Sequence, residues 1–176
     1  MIKNTIVNVV ATASLNQELD FYELRRYSEI FYDSDVYGGR VAYFKTENMK
    51  GKVSIFASGK LISVGTKSQQ NAFSELQTVA RFLFKKGLAK PVKLSPKIRN
   101  MVISVHLEKN LNLAKLAKNS KAVYEPERFP ALILRLEKPC RVGILIFASG
   151  KVIIAGLTSS DQIEPIIQQV QKLVDS

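Results

Sequence analysis

A single cysteine, Cys140, occurs in the 176 residues, so no internal disulfide can form and no zinc site can rest on cysteine ligands. Histidine is equally scarce. His106 stands alone in a predicted strand, without the serine or cysteine partner that nucleophilic catalysis requires. The chain has no Walker lysine loop and no carboxylates spaced for a metal ion. Gly59-Lys60 and Gly150-Lys151 belong to hairpin turns rather than to helix starts that could cradle phosphate. An enzyme, a metal site and a bound cofactor are therefore not expected. Apolar runs extend over only a few residues, well short of the roughly 20 that cross a bilayer, so no membrane partner is expected. The first eight residues place Asn4 and Asn8 where a signal peptide needs continuous apolar sequence, which predicts a protein that stays inside the cell.

Acidic residues are the remaining deficit: 15 Asp and Glu face 26 Lys and Arg, leaving a net charge of +11. An excess of this size favours a polyanionic partner through counterion release and long-range attraction. With 46% hydrophobic and 23% charged residues the composition is that of a globular protein with a real core.

The strongest signal is internal duplication. Ile55-Phe56-Ala57-Ser58-Gly59-Lys60 recurs as Ile146-Phe147-Ala148-Ser149-Gly150-Lys151, and Gly65 and Gly156 keep the same offset of 91 residues. Upstream, Val7-Asn8-Val9-Val10 answers Arg99-Asn100-Met101-Val102, and Tyr32-Asp33-Ser34-Asp35 answers Tyr124-Glu125-Pro126-Glu127, both at an offset of 92. The period is too long for a solenoid unit and predicts two halves, residues 1–90 and 91–176, joined near Ala89-Lys90-Pro91.

Within the first half, residues 4–13 predict a strand, and Asp20 caps a short helix carrying Phe21, Leu24 and Tyr27. Residues 36–46, 52–58 and 60–66 predict a meander with turns at Asn48–Gly51 and Ser58-Gly59. A helix from about Ser68 to Lys86 closes the half, its apolar stripe being Phe73, Leu76, Ala80, Leu83 and Phe84. In the second half the stripe is Ile163, Ile166, Ile167, Val170, Leu173 and Val174. The strands are unusual because both faces are substantially apolar: Ile6, Asn8, Val10 and Thr12 on one side of the first strand, Thr5, Val7, Val9 and Ala11 on the other. An antiparallel sheet normally wets one side. Four helices can cover one face, so the second is hidden in a sandwich or a dimer, or it is a large ligand-binding surface.

The Asn-x-Val strand, Tyr124-Glu125-Pro126-Glu127-Arg128-Phe129-Pro130, and Ile-Phe-Ala-Ser-Gly-Lys with a glycine nine residues beyond its phenylalanine, all duplicated, resemble the TATA-box-binding protein family. The similarity runs from about Ile6 to Val174 and is stronger in the second half. It implies an α+β fold: a saddle-shaped, pseudo-twofold, ten-stranded antiparallel sheet, four helices on its convex face and DNA under its concave face. The two halves would form one continuous domain.

The same resemblance implies site residues. Phe129 and Phe147, with Pro130 beside them, match the second half's wedge that pushes between base pairs; Phe56 and Tyr37 match the first half's. Asn8 and Asn100 match two central asparagines suited to the acceptors on an A·T groove floor, and Val10 and Val102 match apolar groove contacts. Lys60, Lys67, Arg135 and Lys151 match basic positions at the margin that meet phosphates. Glu125 and Glu127, beside Arg128, fall on the loop that meets transcription factor B in the family.

The chain departs from the family at several of these places. Tyr37-Gly38-Gly39-Arg40 stands where Phe-Pro-Gly-Leu is expected, and Val64 and Ala155 occupy the sites of threonines that hydrogen-bond adenine edges. Thr158 replaces a basic residue and Arg128 an apolar one. The wedges are 19 residues apart in the first half and 18 in the second, which predicts a longer Asn48–Gly51 turn. Archaeal members of the family are often acidic, so +11 marks a divergent member with more phosphate affinity and relaxed sequence preference. The resemblance predicts a general transcription initiation factor that bends A·T-rich promoter DNA, located in an archaeal cytoplasm with the nucleoid or in a eukaryotic nucleus. A regulatory protein-binding module using the concave face, and a binding module for RNA/DNA hybrids, are the rival readings. The exposed face also predicts a homodimer when free.

Overall fold

The computed structural model describes residues 3–118 and 120–175. Its backbone forms two compact units, Asn8–Arg99 and Met1–Val7 with Asn100–Ser176. In chain order the elements are β1 (Asn4–Ser14), α1 (Phe21–Leu24), β2 (Ile30–Tyr32), β3 (Val41–Phe44), β4 (Lys52–Phe56), β5 (Lys60–Thr66) and α2 (Gln69–Lys85). The repeat continues with β6 (Lys97–His106), α3 (Leu113–Lys118), β7 (Ala131–Leu136), β8 (Val142–Phe147), β9 (Lys151–Leu157) and α4 (Ile163–Asp175). The first unit orders its strands β2-β3-β4-β5-β1 and the second β6-β9-β8-β7, with antiparallel neighbours throughout. Nine strands thus form among the described residues. Where the duplication calls for a tenth, Val123 makes an isolated bridge to Ile133, the two exchanging N–H···O bonds of 2.8 Å.

Alternation along each strand selects the core. In the first unit Val9, Ala11, Val53, Ile55 and Leu61 are buried, as are Leu76, Val79, Ala80 and Leu83 of α2. Phe82 of the same helix meets Phe44 at 4.9 Å between ring centroids and Tyr27 edge-on at 5.4 Å. Ser68 caps α2, its side chain accepting from the Asn71 N–H at 3.1 Å. In the second unit Met101, Ile103, Leu132, Ile144, Ile146, Val152 and Ile154 are buried, together with Ile166, Ile167 and Val170 of α4 and Leu113 and Leu116 of α3.

Two expectations shift. The predicted strand over 36–46 is only Val41–Phe44, because Tyr37, Gly38 and Gly39 all take positive φ, which extended backbone excludes, and make a 3₁₀ turn. The buried stripe of α2 runs through Ala72, Leu76, Val79, Ala80 and Leu83, leaving Phe73 and Phe84 half-buried on its flanks.

The same helix carries a buried carboxylate. Glu75 Oε1 accepts from the Gly51 N–H at 2.8 Å and Oε2 from the Ser63 hydroxyl at 3.3 Å. Any Cβ at Gly51 would collide with the Val64 carbonyl of β5, so the chain passes close to that strand there and the Gly51 N–H depends on Glu75 as its acceptor. Glu75→Ala should therefore cost about 1–3 kcal/mol, the scale of an orphaned buried donor. Urea titration should show a lower midpoint with an unchanged slope, and Glu75→Gln, which keeps the acceptor, should recover most of it. An Ala variant as stable as the parent chain would remove this role from Glu75.

Candidate nucleic-acid interface

The strand positions that alternate with the core form a second face in each unit. Cross-strand partners share a face. In the second unit one row across it is Val102, Ala155, Gly143 and Arg135, and the next is Ser104, Ile153, Leu145 and Ile133. In the first unit Thr12, Ile62 and Ser54 make one row, and Val64 stands opposite Lys52. Val10, Ile62, Val64, Val102, Leu145, Ile153 and Ala155 are all half-buried, shielded by neighbours on the sheet yet open to solvent. Ile62, Leu145, Ile153 and Ile133 were not among the candidate residues. Period-two spacing from Lys60 and Lys151 could have found the two on β5 and β9.

Two β-bulges interrupt this face at equivalent places. On β5 the register shifts between Val9↔Thr66 and Ala11↔Ser63, so Val10 faces Val64 and Gly65 together. On β9 it shifts between Met101↔Leu157 and Val102↔Ala155, leaving Gly156 as the extra residue. Gly65 and Gly156 have φ of +94° and +110°, conformations that favour glycine. Each bulge N–H is taken up by an asparagine. The Gly65 N–H donates to Asn8 Oδ1 at 2.9 Å and the Gly156 N–H to Asn100 Oδ1 at 2.8 Å. This fixes the amide orientation and leaves each Nδ2, the donor end, without an acceptor among the described residues.

The aromatic positions differ between repeats. Phe129 and Phe147 pack edge to face with centroids 6.3 Å apart, Phe129 being 39% exposed. Pro130 follows, also exposed. Tyr37, 72% exposed, makes no ring contact with Phe56 among the described residues. Phe56 borders instead a cleft of about 450 Å³ shared with Arg40 and Glu18. Register explains the difference: Phe56 pairs with Val41 and Phe147 with Ala131. Phe129 lies two residues before Ala131, whereas Tyr37 lies four before Val41, and Gly39 holds the place nearer the strand. The extra length of the first repeat therefore sits in Gly38-Gly39-Arg40. The connection that holds the Asn48–Gly51 turn, residues 45–51, is also longer than its counterpart, residues 137–141, because β3 and β4 are shorter strands than β7 and β8. A ring at Gly39 would be strained, since its φ is +68° and a Cβ would lie 2.8 Å from the Tyr32 hydroxyl.

Lys60, Lys67, Arg135 and Lys151 are exposed and take part in none of the ion pairs among the described residues. Arg135 lines an open hollow of about 500 Å³ with Gly143, Ala155 and Gly156. Glu125, Glu127 and Arg128 are exposed on the turn before Phe129, where the Phe129 N–H donates to the Glu125 carbonyl at 3.0 Å. Arg128 Nη1 pairs with Glu125 Oε2 at 3.2 Å, which leaves Glu127 the freer acid. No cluster of three metal-ligating side chains occurs among the described residues.

Residues 3–86 and 95–176 match the family described as Transcription factor TFIID (or TATA-binding protein, TBP). The TATA-box-binding protein of Cenarchaeum symbiosum is 38% identical over 159 residues, covering 90% of this chain and 86% of the relative. That of Sulfolobus acidocaldarius is 37% identical over 175 residues, covering 97% and 86%. Among solved structures, the TBP of Methanococcus jannaschii superposes with a TM-score of 0.88 at 29% identity over 98% of both chains.

Tyr37 is a bulky residue at φ +51°, a conformation that costs a non-glycine side chain about 1–2 kcal/mol. Asparagine tolerates it better. Tyr37→Asn should raise the unfolding free energy by about 0.5–1 kcal/mol on the same scale, measured by denaturant titration; a loss of stability would show that the ring contributes packing that outweighs the strain.

Proposed function

This chain belongs to the TATA-binding protein family, and we propose that it is a transcription initiation factor that holds the minor groove of A·T-rich promoter DNA against the apolar face of each repeat. The observation that carries this reading is the duplicated bulge: an asparagine whose acceptor is consumed by a glycine N–H, with a valine two residues along the same face. A groove floor of A·T pairs offers only acceptors, adenine N3 and thymine O2, and guanine adds a protruding amino group. Two amides held donor-outward suit the first. Val10 and Val102 disfavour the second.

Mechanism follows from shape and charge. Phe129 and Phe147, already packed together, enter a base step as one apolar wedge, replacing part of the stacking they break; the family is itself the standard illustration of this mode. In the first repeat Phe56 enters, with Tyr37 on its left-handed turn supplying a ring that reaches it only after movement. Lys60, Lys67, Arg135 and Lys151 neutralise phosphates, which adds affinity and salt dependence without reading sequence. Val64 and Ala155 offer no hydroxyl to adenine edges, so discrimination among A·T-rich sites is relaxed by about 0.5–1.5 kcal/mol per lost hydrogen bond. The exposed Glu125–Arg128 turn is the surface for transcription factor B. Self-association of the free protein through the same apolar face would compete with DNA.

A gel-shift titration with A·T-rich and scrambled duplexes at several salt concentrations tests the reading. Retarded, bent DNA is expected. No retardation below about 10⁻⁴ M would favour a protein-binding module, and preference for RNA/DNA hybrid a hybrid-binding module. Phe129→Ala with Phe147→Ala should abolish bending and cost about 1–3 kcal/mol per ring, while salt-dependent association persists. Tyr37→Ala should cost less than either; equal losses would mean the two ends work alike. Glu127→Lys should leave the binary DNA complex unchanged and weaken its supershift by transcription factor B.

A further inference from the structure

Within the first unit, a cleft of about 390 Å³ opens beside the end of β1, lined by Lys60, Lys93, Lys97 and Arg99 together with the hydroxyls of Ser58 and Ser95. None of its lining residues is acidic, and none of the four cations joins an ion pair among the described residues. Of the four cations only Lys60 belongs to the interface already described, and Thr12 is shared with it.

The cleft is built by specific contacts. Gln17 clamps the segment between the repeats, its Nε2 donating to the Lys90 carbonyl and its Oε1 accepting from the Lys90 N–H, both at 2.8 Å. The turn carrying Ser58 is pinned against the same place, with the Leu15 N–H donating to the Gly59 carbonyl at 2.9 Å. Arg99 is held by its Nε–H, which donates to Thr12 Oγ1 at 3.0 Å, leaving both terminal nitrogens of the guanidinium uncommitted. Such a fork suits a two-oxygen acceptor.

The other repeat lacks this arrangement. Ser14 faces Lys60 across the strands, and its counterpart His106 faces Lys151. At the 92-residue offset Lys97 and Arg99 answer to Thr5 and Val7, Asn16 answers to Glu108, and Gln17 answers to Lys109, which is paired with Asp175 at 2.6 Å. Ser95 answers to Lys3, so four cations and no acid stand against two cations, Lys3 and Lys151, and one acid, Glu108.

We propose that this cleft seats backbone phosphate of the duplex flanking the A·T-rich site, on the first repeat's side only. The inference rests on the DNA-binding reading above. A phosphodiester supplies two free oxygens, which match the Arg99 fork and the ammonium groups of Lys93 and Lys97; the serine hydroxyls complete its hydrogen bonds.

The test measures log K against log salt for the full chain on one A·T-rich duplex with long flanks. Each phosphate contact contributes about 0.9 to the slope. Lys93→Ala with Lys97→Ala should reduce the slope by about one to two on that scale, with DNA bending unchanged. Lys93→Arg with Lys97→Arg should keep it. Lys115→Ala with Lys118→Ala, a control on α3 with the same loss of charge, should leave it near the parent value. Phosphate ethylation should interfere on one flank, and that signal should vanish in the double alanine variant. An unchanged slope with intact bending, or an equal fall in the control, overturns the phosphate seat alone. Failure of the parent chain to bind any duplex overturns both it and the reading on which it rests.

Discussion

Period-two alternation in an antiparallel strand sends neighbouring residues to opposite faces, and in this chain both sets are apolar. One set buries itself in each unit: Val53, Ile55 and Leu61 in the first, Ile144, Ile146 and Val152 in the second. The other set is left half-buried: Leu145 and Ile153 stand opposite one another in the second unit, and Val64 stands opposite Lys52 in the first. At about 25 cal/mol per Å² of apolar surface, leaving such a face wet forgoes stability that any covering partner would recover. A single apolar face left uncovered would be a local fault. The same face is left uncovered in both units, so it recurs with the duplication.

The bulges turn that apolar face into one that can discriminate. A bulge frees one N–H from the ladder, and a freed N–H needs an acceptor. Asn8 and Asn100 supply it with the oxygen of a side chain whose other end is a donor. Backbone geometry thereby decides the polarity of the surface: an amide otherwise free to turn over is fixed with its NH₂ group outward. Gly65 and Gly156 are needed because the bulge requires positive φ, and at Gly156 a Cβ would also lie 2.8 Å from the Arg141 carbonyl. Glycine, asparagine and valine are thus one unit of structure, spread over two strands and about 57 residues of sequence.

Much of this was legible in the sequence because duplication makes weak signals count twice. The strands, the long helices, the turns at Ser58-Gly59 and Ser149-Gly150, and the pairing of each asparagine with a valine all follow from motifs read against their own copies. What escaped has physical reasons. Ile30–Tyr32 is a three-residue edge strand, too short to show a period, and its counterpart is only the Val123 bridge. Glu75 was invisible because an acid on a helix is ordinarily solvated, and only the tertiary approach of Gly51 and Ser63 makes it an acceptor in the core. The position of Tyr37 was misjudged for a different reason. Counting between wedges fixes the total length of the intervening chain, whereas the side of Val41 on which the extra residues fall is set by strand register, which has no local signature there.

The two repeats have diverged in complementary directions. The second keeps the packed Phe129–Phe147 pair and has surrendered charge to the Glu108 side chain and to the Lys109–Asp175 ion pair. The first has lost its ring pair to Gly38-Gly39-Arg40 and has gathered Lys93, Lys97 and Arg99 beside Lys60. Stacking acts over a few ångströms and is nearly indifferent to salt, whereas attraction between cations and a polyanion reaches about a Debye length, roughly 10 Å at 0.1 M, and weakens as salt rises. On the proposed reading a duplex would therefore be held by deformation in the second repeat and by charge in the first. Since deformation depends on the base step and charge does not, the proposed mode of binding would concentrate sequence preference in the half that carries the packed rings and would let the half that carries the cations govern the response to ionic strength.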